Sequence, residues 1–461
     1  MPSLPVLDPS FQPAVVWNRA YRARVAADPG ARDVRLALER PDGTVFVHDT
    51  RVLGPGPENA AWNERHAERL VKSLLWIRGG SRIHVAGAED LARALAAAYS
   101  AAGVRAFDHE TVGVRMFGEG LSVRACRRAE VPPANARSVA LGRHLDGCRI
   151  GFDLGGSDRK CAALIDGEVV HSEEVAWDPY FQSDPRYHYD GIHDSLRRAA
   201  AHLPRVDAIG GSAAGVYVNN EPRVASLFRG VSPADFARHV RPIFHRLKEA
   251  WGGVPFEVVN DGEVTALAGA MATDDNALLG ISMGTSLAAG YCDPEGHITA
   301  GLNELAFVPV DYRPDAPADE WSGDLGCGVQ YFSQQAVARL APRAGLDFPA
   351  AVPLAERLVA VQERLATGDE RARRIYETIG TYLGYSVAHW AEFYSLRHVL
   401  VLGRVTSGPG GEVILATAGK LLRAEFSDLA ARVALRTPGE KEKRLGQAIA
   451  AASLPAIDTD P

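Results

Sequence analysis

Residues 151–160 read GFDLGGSDRK and directly follow the apolar-leaning segment CRI at 148–150. An aspartate and two glycines at the end of a short strand are typical of a tight hairpin, because glycine reaches backbone angles that other residues avoid and aspartate favours turns. The same residues are also typical of a turn that holds a phosphate, where missing side chains let backbone N–H groups approach an anion. Taken alone, the stretch favours the hairpin, and the phosphate turn needs support from the rest of the chain.

The length and composition of the chain indicate a globular protein of several domains. With 461 residues, the chain is longer than a domain with a single hydrophobic core usually is. Its composition, with 46% hydrophobic and 23% charged residues, excludes a disordered protein. No apolar run reaches 18 residues and the N-terminus lacks a basic region before an apolar core, so we expect no membrane span and no signal peptide. The five cysteines lack CxxC spacing, which predicts a cytoplasmic location. The net charge of −7 gives no reason to expect a nucleic-acid partner.

The first third of the chain predicts a small α/β or α+β domain. DVRLALER and TVFVHDTRVL read as two strands around a turn, RIHVAG as a third, and EDLARALAAAYSAAG as a helix. Paired prolines in EVPPANARSVALGRHLDG predict a boundary at residues 130–147. KSLLWIRGG at 72–80 brings Leu74, Leu75 and Trp76 together, which indicates either the domain's own core or a surface that packs on the rest of the chain or forms a dimer.

From residue 148 the pattern changes to a predicted meander of strands in CRIGFDLGG, CAALIDG and EVVHSEEVA, followed by alternating helices and strands. This pattern of strands and helices begins again after FEVVND at 256–261. We expect the last strand at HVLVLGRV (398–405) and a closing helix in EKRLGQAIAAASL (442–454). A pattern that occurs twice predicts a duplicated α/β fold with a cleft between two lobes.

Four polar motifs follow one another along this part of the chain. They are the DLGGS turn with Asp153, Gly155, Gly156 and Ser157, the pair Asn260–Asp261 that opens a helix, the turn of Gly284, Thr285 and Ser286, and Gly403 at a strand end. Taken singly, Asn260–Asp261 is also explained as a helix cap, and GTS as an ordinary hairpin turn. Together, two phosphate turns with an aspartate between them indicate phosphoryl transfer to a hydroxyl, a reaction that mainly needs positioning and charge neutralisation.

In order and spacing, these motifs resemble the ROK family of sugar kinases and sugar-responsive regulators, within the actin/Hsp70/hexokinase superfamily. DLGGS (153–157) and GTSLAAG (284–290) correspond to its two phosphate motifs, NDGEVTALAG (260–269) to its catalytic segment, NELAF (303–307) to its sugar-contacting glutamate motif and VLGRV (401–405) to its adenosine motif. The similarity covers about residues 148–455. It implies a duplicated actin-like (ribonuclease H-like) two-lobed α/β kinase fold. Residues 1–147 form an N-terminal extension, 148–262 with a helix at about 440–455 the small lobe, and 263–439 the large lobe.

The resemblance also implies a role for each motif. Asp261 would be the general base, and Asp153 would orient Mg²⁺ through water. The residues implied to contact ATP are Gly155, Gly156, Ser157, Gly284, Thr285, Ser286 and Gly403. Asn260, Asn303 and Glu304 would bind hydroxyls of a small-molecule sugar or polyol. The implied cofactors are ATP and Mg²⁺, and we expect a homodimer with neither a nucleic-acid nor a membrane partner.

The departures from the family pattern concern zinc and specificity. Phe307 stands where the family has a zinc-binding histidine, and the loop WSGDLGCGVQYFSQQAV keeps only Cys327 of the family's cysteine cluster. A structural zinc needs about four nitrogen or sulfur ligands, so we predict no zinc site. The missing histidine also leaves the family's usual preference for glucose open.

Two alternatives to a kinase stay open. One is a non-catalytic ROK-type sugar-responsive regulator, although the strands at the start of residues 1–147 and the lack of a basic recognition helix argue against DNA binding. The other is an inactive binding or scaffold protein, which the altered glycine turns favour. The presence of both Asp153 and Asp261 favours an ATP-dependent kinase that acts on a sugar or sugar-like polyol.

Overall fold

A computed structural model describes residues 3–135, 141–273 and 275–457. The strands are β1 (Arg32–Glu39), β2 (Val45–Val52), β3 (Arg82–Ala86), β4 (Ser122–Cys126), β5 (Cys148–Leu154), β6 (Asp158–Ile165), β7 (Glu168–Ala176), β8 (Ala208–Ala213), β9 (Val216–Val218), β10 (Glu221–Val224), β11 (Phe256–Asn260), β12 (Leu278–Met283), β13 (Leu287–Cys292), β14 (His398–Leu402) and β15 (Ala434–Arg436).

The helices have a wide range of lengths. They are α1 (Ala14–Ala27), α2 (Pro57–Arg78), α3 (Glu89–Ala98), α4 (Ala106–Asp108), α5 (Pro185–Ala200), α6 (Pro233–Asp235), α7 (Ile243–Ala250), α8 (Asp261–Thr273), α9 (Gln334–Leu340), α10 (Leu354–Ala366), α11 (Glu370–Trp390), α12 (Pro409–Glu425), α13 (Ser427–Ala430) and α14 (Glu440–Ala452). Among these described helices, none combines the length and the hydropathy that crossing a bilayer requires.

The described residues form two compact units. The first unit consists of residues 3–135, 281–289 and 300–437, and the second of residues 141–273, 275–280, 290–299 and 438–457. The N-terminal residues therefore share a unit with residues 300–437. The predicted boundary at 130–147 includes residues 136–140, which lie outside the described residues.

The second unit is built on a five-stranded sheet in the order β11-β8-β5-β6-β7. Strands β5, β6 and β7 form the predicted antiparallel meander, whereas β8 pairs in parallel with both β5 and β11. Helix α14 packs against β5, β8 and α8. Its approach is close: a Cβ atom on Gly151 would lie 1.7 Å from the carbonyl oxygen of Ala448, and one on Gly210 would lie 1.7 Å from that of Ala451. Glycine at both positions is therefore a packing requirement.

The first unit contains the N-terminal sheet, in the order β2-β1-β3-β4, and most of a second sheet in the order β13-β12-β14-β15. Helices α11 and α12 pack against each other, and α1 packs on α11. Helix α2 begins at Pro57, whose fixed φ suits a first helical position, and ends before Gly79, which has a φ of +77°.

Several elements differ from the sequence-based expectations. Helices α1, α2 and α12 were not predicted, and HVLVLGRV is not the last strand, because β15 follows it. The helix expected in ADFARHVRPIFHRLKEAWG is interrupted before α7, near Pro242. Leu74, Leu75 and Trp76 belong to α2 and are buried within the first unit, so this stretch offers no surface for a dimer. The homodimer stays a prediction without that support.

Replacing Gly210 by alanine is expected to lower the free energy of unfolding by about 1–3 kcal/mol, because the new methyl group would overlap the Ala451 carbonyl and displace α14. Urea unfolding measures the change. Gly419→Ala is the matched control, since a Cβ there meets only the Arg423 side chain, at 3.3 Å, in the middle of α12. That variant should be unchanged or more stable by up to ~1 kcal/mol. Equal stability of the two variants would contradict the close packing of α14 on β8.

Candidate functional site

Three parallel strands of the second unit end at one edge of its sheet. In their register, Asp153 of β5 lies opposite Ser212 of β8, and Asn260 of β11 lies opposite Ala213. Asp261 follows directly as the first residue of α8. The carboxyl ends of parallel strands are where open α/β sheets bind ligands, and two strand spacings amount to about 10 Å. The structure therefore brings together two of the predicted functional motifs, Asp153 and the Asn260–Asp261 pair.

Both carboxylates at this edge are held in surroundings that favour their protonated form. Asp153 is only 5% exposed, and burial raises its pKa to about 6, with the charge of Asp261 adding to the effect and the Ser212 hydroxyl opposing it. Burial also raises the pKa of Asp261, against the hydrogen bond from the Gly262 N–H. Asp153 is buried and Asp261 is half-buried. A pair of carboxyl groups with raised pKa values, one of which acts on the other, is typical of a functional site, because such surroundings destabilise the charged form.

The Asn260 side chain acts as the cap of helix α8. Its Oδ1 accepts a hydrogen bond from the Gly262 N–H at 2.7 Å, and its Nδ2 donates to the carbonyl of Gly215 at 2.6 Å. Asp261 Oδ1 accepts from the same Gly262 N–H at 2.9 Å. The capping explanation thus fits Asn260 well, and its contact with a substrate stays a prediction.

The DLGGS turn joins β5 to β6 and is supported by aromatic side chains. The Gly155 N–H donates to the Asp158 carbonyl at 3.0 Å, and Trp177 Nε1 donates to the Gly155 carbonyl at 2.7 Å. A Cβ on Gly156 would lie 2.1 Å from Oη of Tyr180, so a larger residue here would displace the Tyr180 side chain. The Ser157 hydroxyl donates to Asp158 Oδ2 at 2.9 Å. The hairpin alternative is therefore correct for the backbone of this turn.

Lys160, a cation beside this turn, lies outside the motifs that the sequence indicates. Lys160 lies directly opposite Asp153 in the pairing of β5 with β6, and its charge acts on that carboxylate. Its Nζ is 3.3 Å from Asp158 Oδ1. The alternation of a strand places residues 158 and 160 on one face, which was the available indication.

The remaining motifs that the resemblance assigns to ATP lie in the first unit. The hairpin between β12 and β13 is closed by the Gly284 N–H donating to the Ser286 carbonyl at 2.9 Å, with Thr285 and Ser286 exposed. A Cβ on Gly284 would meet nothing closer than 3.8 Å, so space is open beside the hairpin. Gly403 has a φ of +100°, and a Cβ there would lie 2.5 Å from the Met283 carbonyl oxygen. The structure thus brings Gly403 together with the GTS turn.

The NELAF segment is held by the C-terminal end of α2. The N–H groups of Leu302 and Asn303 donate to the Ile77 carbonyl at 3.0 and 3.1 Å, and that of Glu304 donates to the Trp76 carbonyl at 2.9 Å. The last carbonyls of a helix lack partners within it, so α2 offers them to this segment. Sequence reasoning missed this support, although the apolar run before Gly79 and Gly80 was an indication of a helix end.

Within NELAF, Asn303 and Glu304 differ in their surroundings. Asn303 is 1% exposed, has a φ of +53°, and accepts a hydrogen bond from the Tyr394 hydroxyl at 2.7 Å. Glu304 is half-buried. These contacts give Asn303 a structural role in fixing the segment, and contact of either side chain with a sugar stays a prediction.

The positions that the resemblance assigns to zinc ligands are occupied by an aromatic cluster and an ionic network. The Phe307 ring stacks on Trp76 with centroids 4.1 Å apart. Near the buried Cys327, Lys72 is 1% exposed, and its Nζ lies 2.9 Å from Asp108 Oδ1 and 2.8 Å from Asp324 Oδ2. Burial opposes the charge of Lys72, but the two carboxylates outweigh it and raise its pKa to about 12. Lys72 and Asp108 belong to the N-terminal third, so that segment stabilises this loop.

Comparison with known proteins identifies the fold. No sequence model of a protein family matches the chain, and no curated protein is similar to it in sequence. Among solved structures, the ROK hexokinase from Thermus thermophilus superimposes with a TM-score of 0.50 at 21% identity, over 66% of this chain and 97% of that one. The chain has the ROK fold. The actin-like α/β fold class predicted from the sequence is therefore confirmed.

Two further structures with the ROK fold are less similar. A ROK family glucokinase from Streptomyces griseus, in complex with glucose and AMPPNP, has a TM-score of 0.46 at 20% identity, over 66% of this chain and 98% of that one. A ROK family transcriptional regulator, a homolog of the E. coli MLC protein, has a TM-score of 0.49 at 19% identity, over 67% and 79%.

Lys72→Met is expected to lower the free energy of unfolding by about 3–5 kcal/mol, because the buried Asp108 and Asp324 would lose their shared cation. Arg373→Met removes the exposed ion pair with Glu377 and is expected to cost less than ~0.5 kcal/mol. Chemical denaturation of both variants gives the comparison.

Elemental analysis of the untagged protein tests the zinc prediction, which a content of about one zinc per chain would contradict.

Asp153→Asn is expected to stabilise the fold by about 1–3 kcal/mol at pH 8, because it removes a buried charge whose pKa is raised from 3.8 to about 6. The folded state binds the proton more tightly than the unfolded state, so the penalty is present above pH 6 and disappears as the pH falls towards 4. The gain should therefore shrink at pH 5. Unfolding curves at both values measure it, with Asp178→Asn, an exposed residue of the same unit, as the control. A gain that is the same at both values would show that the Asp153 charge is not the cause.

Proposed function

We propose that the chain is a divergent ROK kinase that transfers the γ-phosphoryl group of ATP to a hydroxyl of a sugar or sugar-like polyol, with Asp261 as general base. The observation that carries this proposal is the pair of carboxyl groups with raised pKa values, the buried Asp153 and the half-buried Asp261, at the carboxyl edge of β5, β8 and β11. A protein that only binds a sugar has no need of two carboxylates that destabilise it, whereas phosphoryl transfer uses one as a base and one beside the metal.

The raised pKa of Asp261 suits a base. A carboxylate with higher proton affinity is a better acceptor for the proton that the hydroxyl loses as its oxygen attacks phosphorus. The Gly262 N–H fixes Asp261 Oδ1 at 2.9 Å, and the Asn260 cap fixes the start of α8 that carries it. The carboxylate is thereby oriented before the substrate arrives, which is the main contribution that a positioned base makes.

The residues that would hold ATP and Mg²⁺ fit these groups in part. Asp153 supplies the oxygen that Mg²⁺ prefers, and the open space beside Gly284 with the exposed Thr285 and Ser286 suits phosphate oxygens. The DLGGS turn fits less well, because the Ser157 hydroxyl is already bonded to Asp158. When bound, ATP would supply the phosphoryl group, and Mg²⁺ would neutralise the negative charge of the phosphates. The Asp153 carboxylate has to be ionised to take part, so activity should fall as the pH falls below about 6.

The acceptor proposed for this site is a neutral sugar or polyol. Glu304 is fixed through its backbone by the Trp76 carbonyl, which places a half-buried carboxylate in the segment that resembles the sugar-contacting motif. A carboxylate accepts hydrogen bonds from vicinal hydroxyls, and this supports a polyhydroxylated substrate. The family's usual histidine is replaced by Phe307, which packs on Trp76, so the preferred sugar is expected to differ from glucose.

Asp261→Asn is expected to lower kcat by about 10²–10⁴-fold while sugar binding survives, because the amide keeps the shape but accepts no proton. Glu304→Gln is expected to raise KM for the sugar with a smaller effect on kcat. An ATP-consumption assay against sugars, amino sugars, inositols and cyclitols finds the substrate, and calorimetry measures binding. Asp190→Asn, an exposed residue on α5, is the control. Turnover by Asp261→Asn within a few-fold of the parent would show that Asp261 only helps to cap the helix.

A regulator is the alternative that the same protein preparation can test. The N-terminal strands form the sheet β2-β1-β3-β4 and share a unit with residues 300–437, which is unlike an appended DNA-binding module. A regulator would bind sugar and a specific duplex DNA without consuming ATP. Sugar binding with no ATP consumption for any acceptor in the screen would therefore favour the regulator, and specific DNA binding would establish it.

A further inference from the structure

A cavity of about 770 Å³ lies within the first unit, apart from every residue assigned to the proposed kinase site. Its walls come from α1, β1, β2, α2 and the C-terminal end of α11. The volume is within the range of about 300–1,000 Å³ that is usual for small-molecule sites. Most of these walls belong to the N-terminal third, for which neither the motifs nor the proposed reaction supplies a role.

The inner wall carries two buried histidines, and three of their four ring nitrogens lack a hydrogen-bond partner; the fourth, His66 Nε2, lies 3.3 Å from the Thr50 hydroxyl. His66 is 6% exposed and its Nδ1 has no hydrogen bond, and His389 is 1% exposed and neither nitrogen has one. The carboxylate of Glu392 is 3.9 Å from His389 Nδ1, too far for a hydrogen bond. A buried polar atom without a partner costs about 1–3 kcal/mol, so these nitrogens indicate a ligand.

The two histidines line the cavity as neutral rings. Burial lowers the pKa of His66 to about 3 and that of His389 to about 4. A neutral imidazole presents one N–H donor and one nitrogen acceptor. A hydroxyl group both donates and accepts, and can therefore bond to either nitrogen.

The charges in the cavity wall are balanced in sign. Three arginines and three carboxylates line it, and each arginine is paired with one of the carboxylates: Arg22 with Glu392 at 2.6 Å, Arg51 with Asp33 at 3.1 Å and Arg128 with Asp49 at 3.3 Å. An anionic ligand would have to compete with the carboxylates, and a cationic one with the arginines. The wall therefore selects for an uncharged ligand.

We propose that this cavity binds a neutral, polyhydroxylated ring compound of the size of a mono- or disaccharide, at a second site distinct from the proposed kinase site. Hydroxyl groups would satisfy Nδ1 of His66 and the ring nitrogens of His389, and the C–H face of the ring would pack on Tyr312 and Phe393, which also line the cavity. The proposal does not depend on the chain being a kinase.

Calorimetry and saturation-transfer NMR on the full chain test the proposal, with D-glucose, maltose and myo-inositol as neutral probes and glucose 6-phosphate and glucosamine as charged ones. His389→Phe keeps the ring shape but removes both nitrogens, and Thr50→Tyr fills the cavity from strand β2. His389→Phe is expected to weaken the binding of a neutral probe at least tenfold, the effect of about two lost hydrogen bonds. Thr50→Tyr is expected to weaken it at least tenfold because the new side chain occupies the space of the ligand. His202→Phe, the same change at an exposed residue of the second unit, is the control and should leave binding unchanged.

Three results would overturn the proposal. The first is the absence of binding of every neutral probe up to about 10 mM, a limit that corresponds to very weak association. The second is binding that neither His389→Phe nor Thr50→Tyr weakens, which would place it elsewhere. The third is tighter binding of glucose 6-phosphate or glucosamine than of the neutral probes, which would show that charge selects the ligand. Thr50→Tyr serves if His389→Phe fails to fold, because Thr50 is only partly buried.

Discussion

The backbone of strand β8 touches packed atoms on both faces of the sheet, and the candidate site of the second unit depends on this constraint. A Cβ on Gly210 would overlap the backbone of α14, and one on Gly211 would lie 2.2 Å from Cζ of Phe152. Because β8 is the middle strand between β5 and β11, its parallel pairing places the strand ends that carry Asp153 and Asn260 side by side. The spacing of the two carboxylates therefore follows from a strand whose two middle residues, Gly210 and Gly211, have no side chain.

The second physical theme is burial of charge. The fold tolerates Asp153 and Asp261 in an environment that raises the pKa of both, and part of its stability is lost in doing so. Elsewhere the chain pairs its buried charges, as with Lys72 between Asp108 and Asp324. The ionic network around Lys72 is therefore a structural cluster. Asp153 and Asp261, two like charges that form no ion pair among the described residues, are a candidate site.

The N-terminal third has a structural role that the motifs did not indicate. Through the last carbonyls of α2 it fixes residues 302–304, and through Lys72 it supports the loop that contains Asp324 and Cys327. Trp76 connects the two, since its ring stacks on Phe307 and its Nε1 donates to Asp108 Oδ1 at 2.8 Å. In this chain a helix and an ionic network occupy the region where the resemblance would place a metal, so the extension and the altered motif are explained together.

The sequence by itself determined the fold class and the order of the motifs, because glycine turns, strand alternation and short polar motifs are local properties of a single chain. It also predicted the meander of β5, β6 and β7, where turn residues mark each strand end. It did not show that KSLLWIRGG ends a long helix, since a short apolar run looks alike in a helix, a strand or a surface patch. Only the tertiary structure decided that a side chain at Gly156 would overlap Tyr180, that Asn260 caps α8, and that His66 Nδ1 and both ring nitrogens of His389 lack partners around a cavity. Those facts depend on contacts between residues far apart in the chain, and burial and hydrogen bonding are set by such contacts.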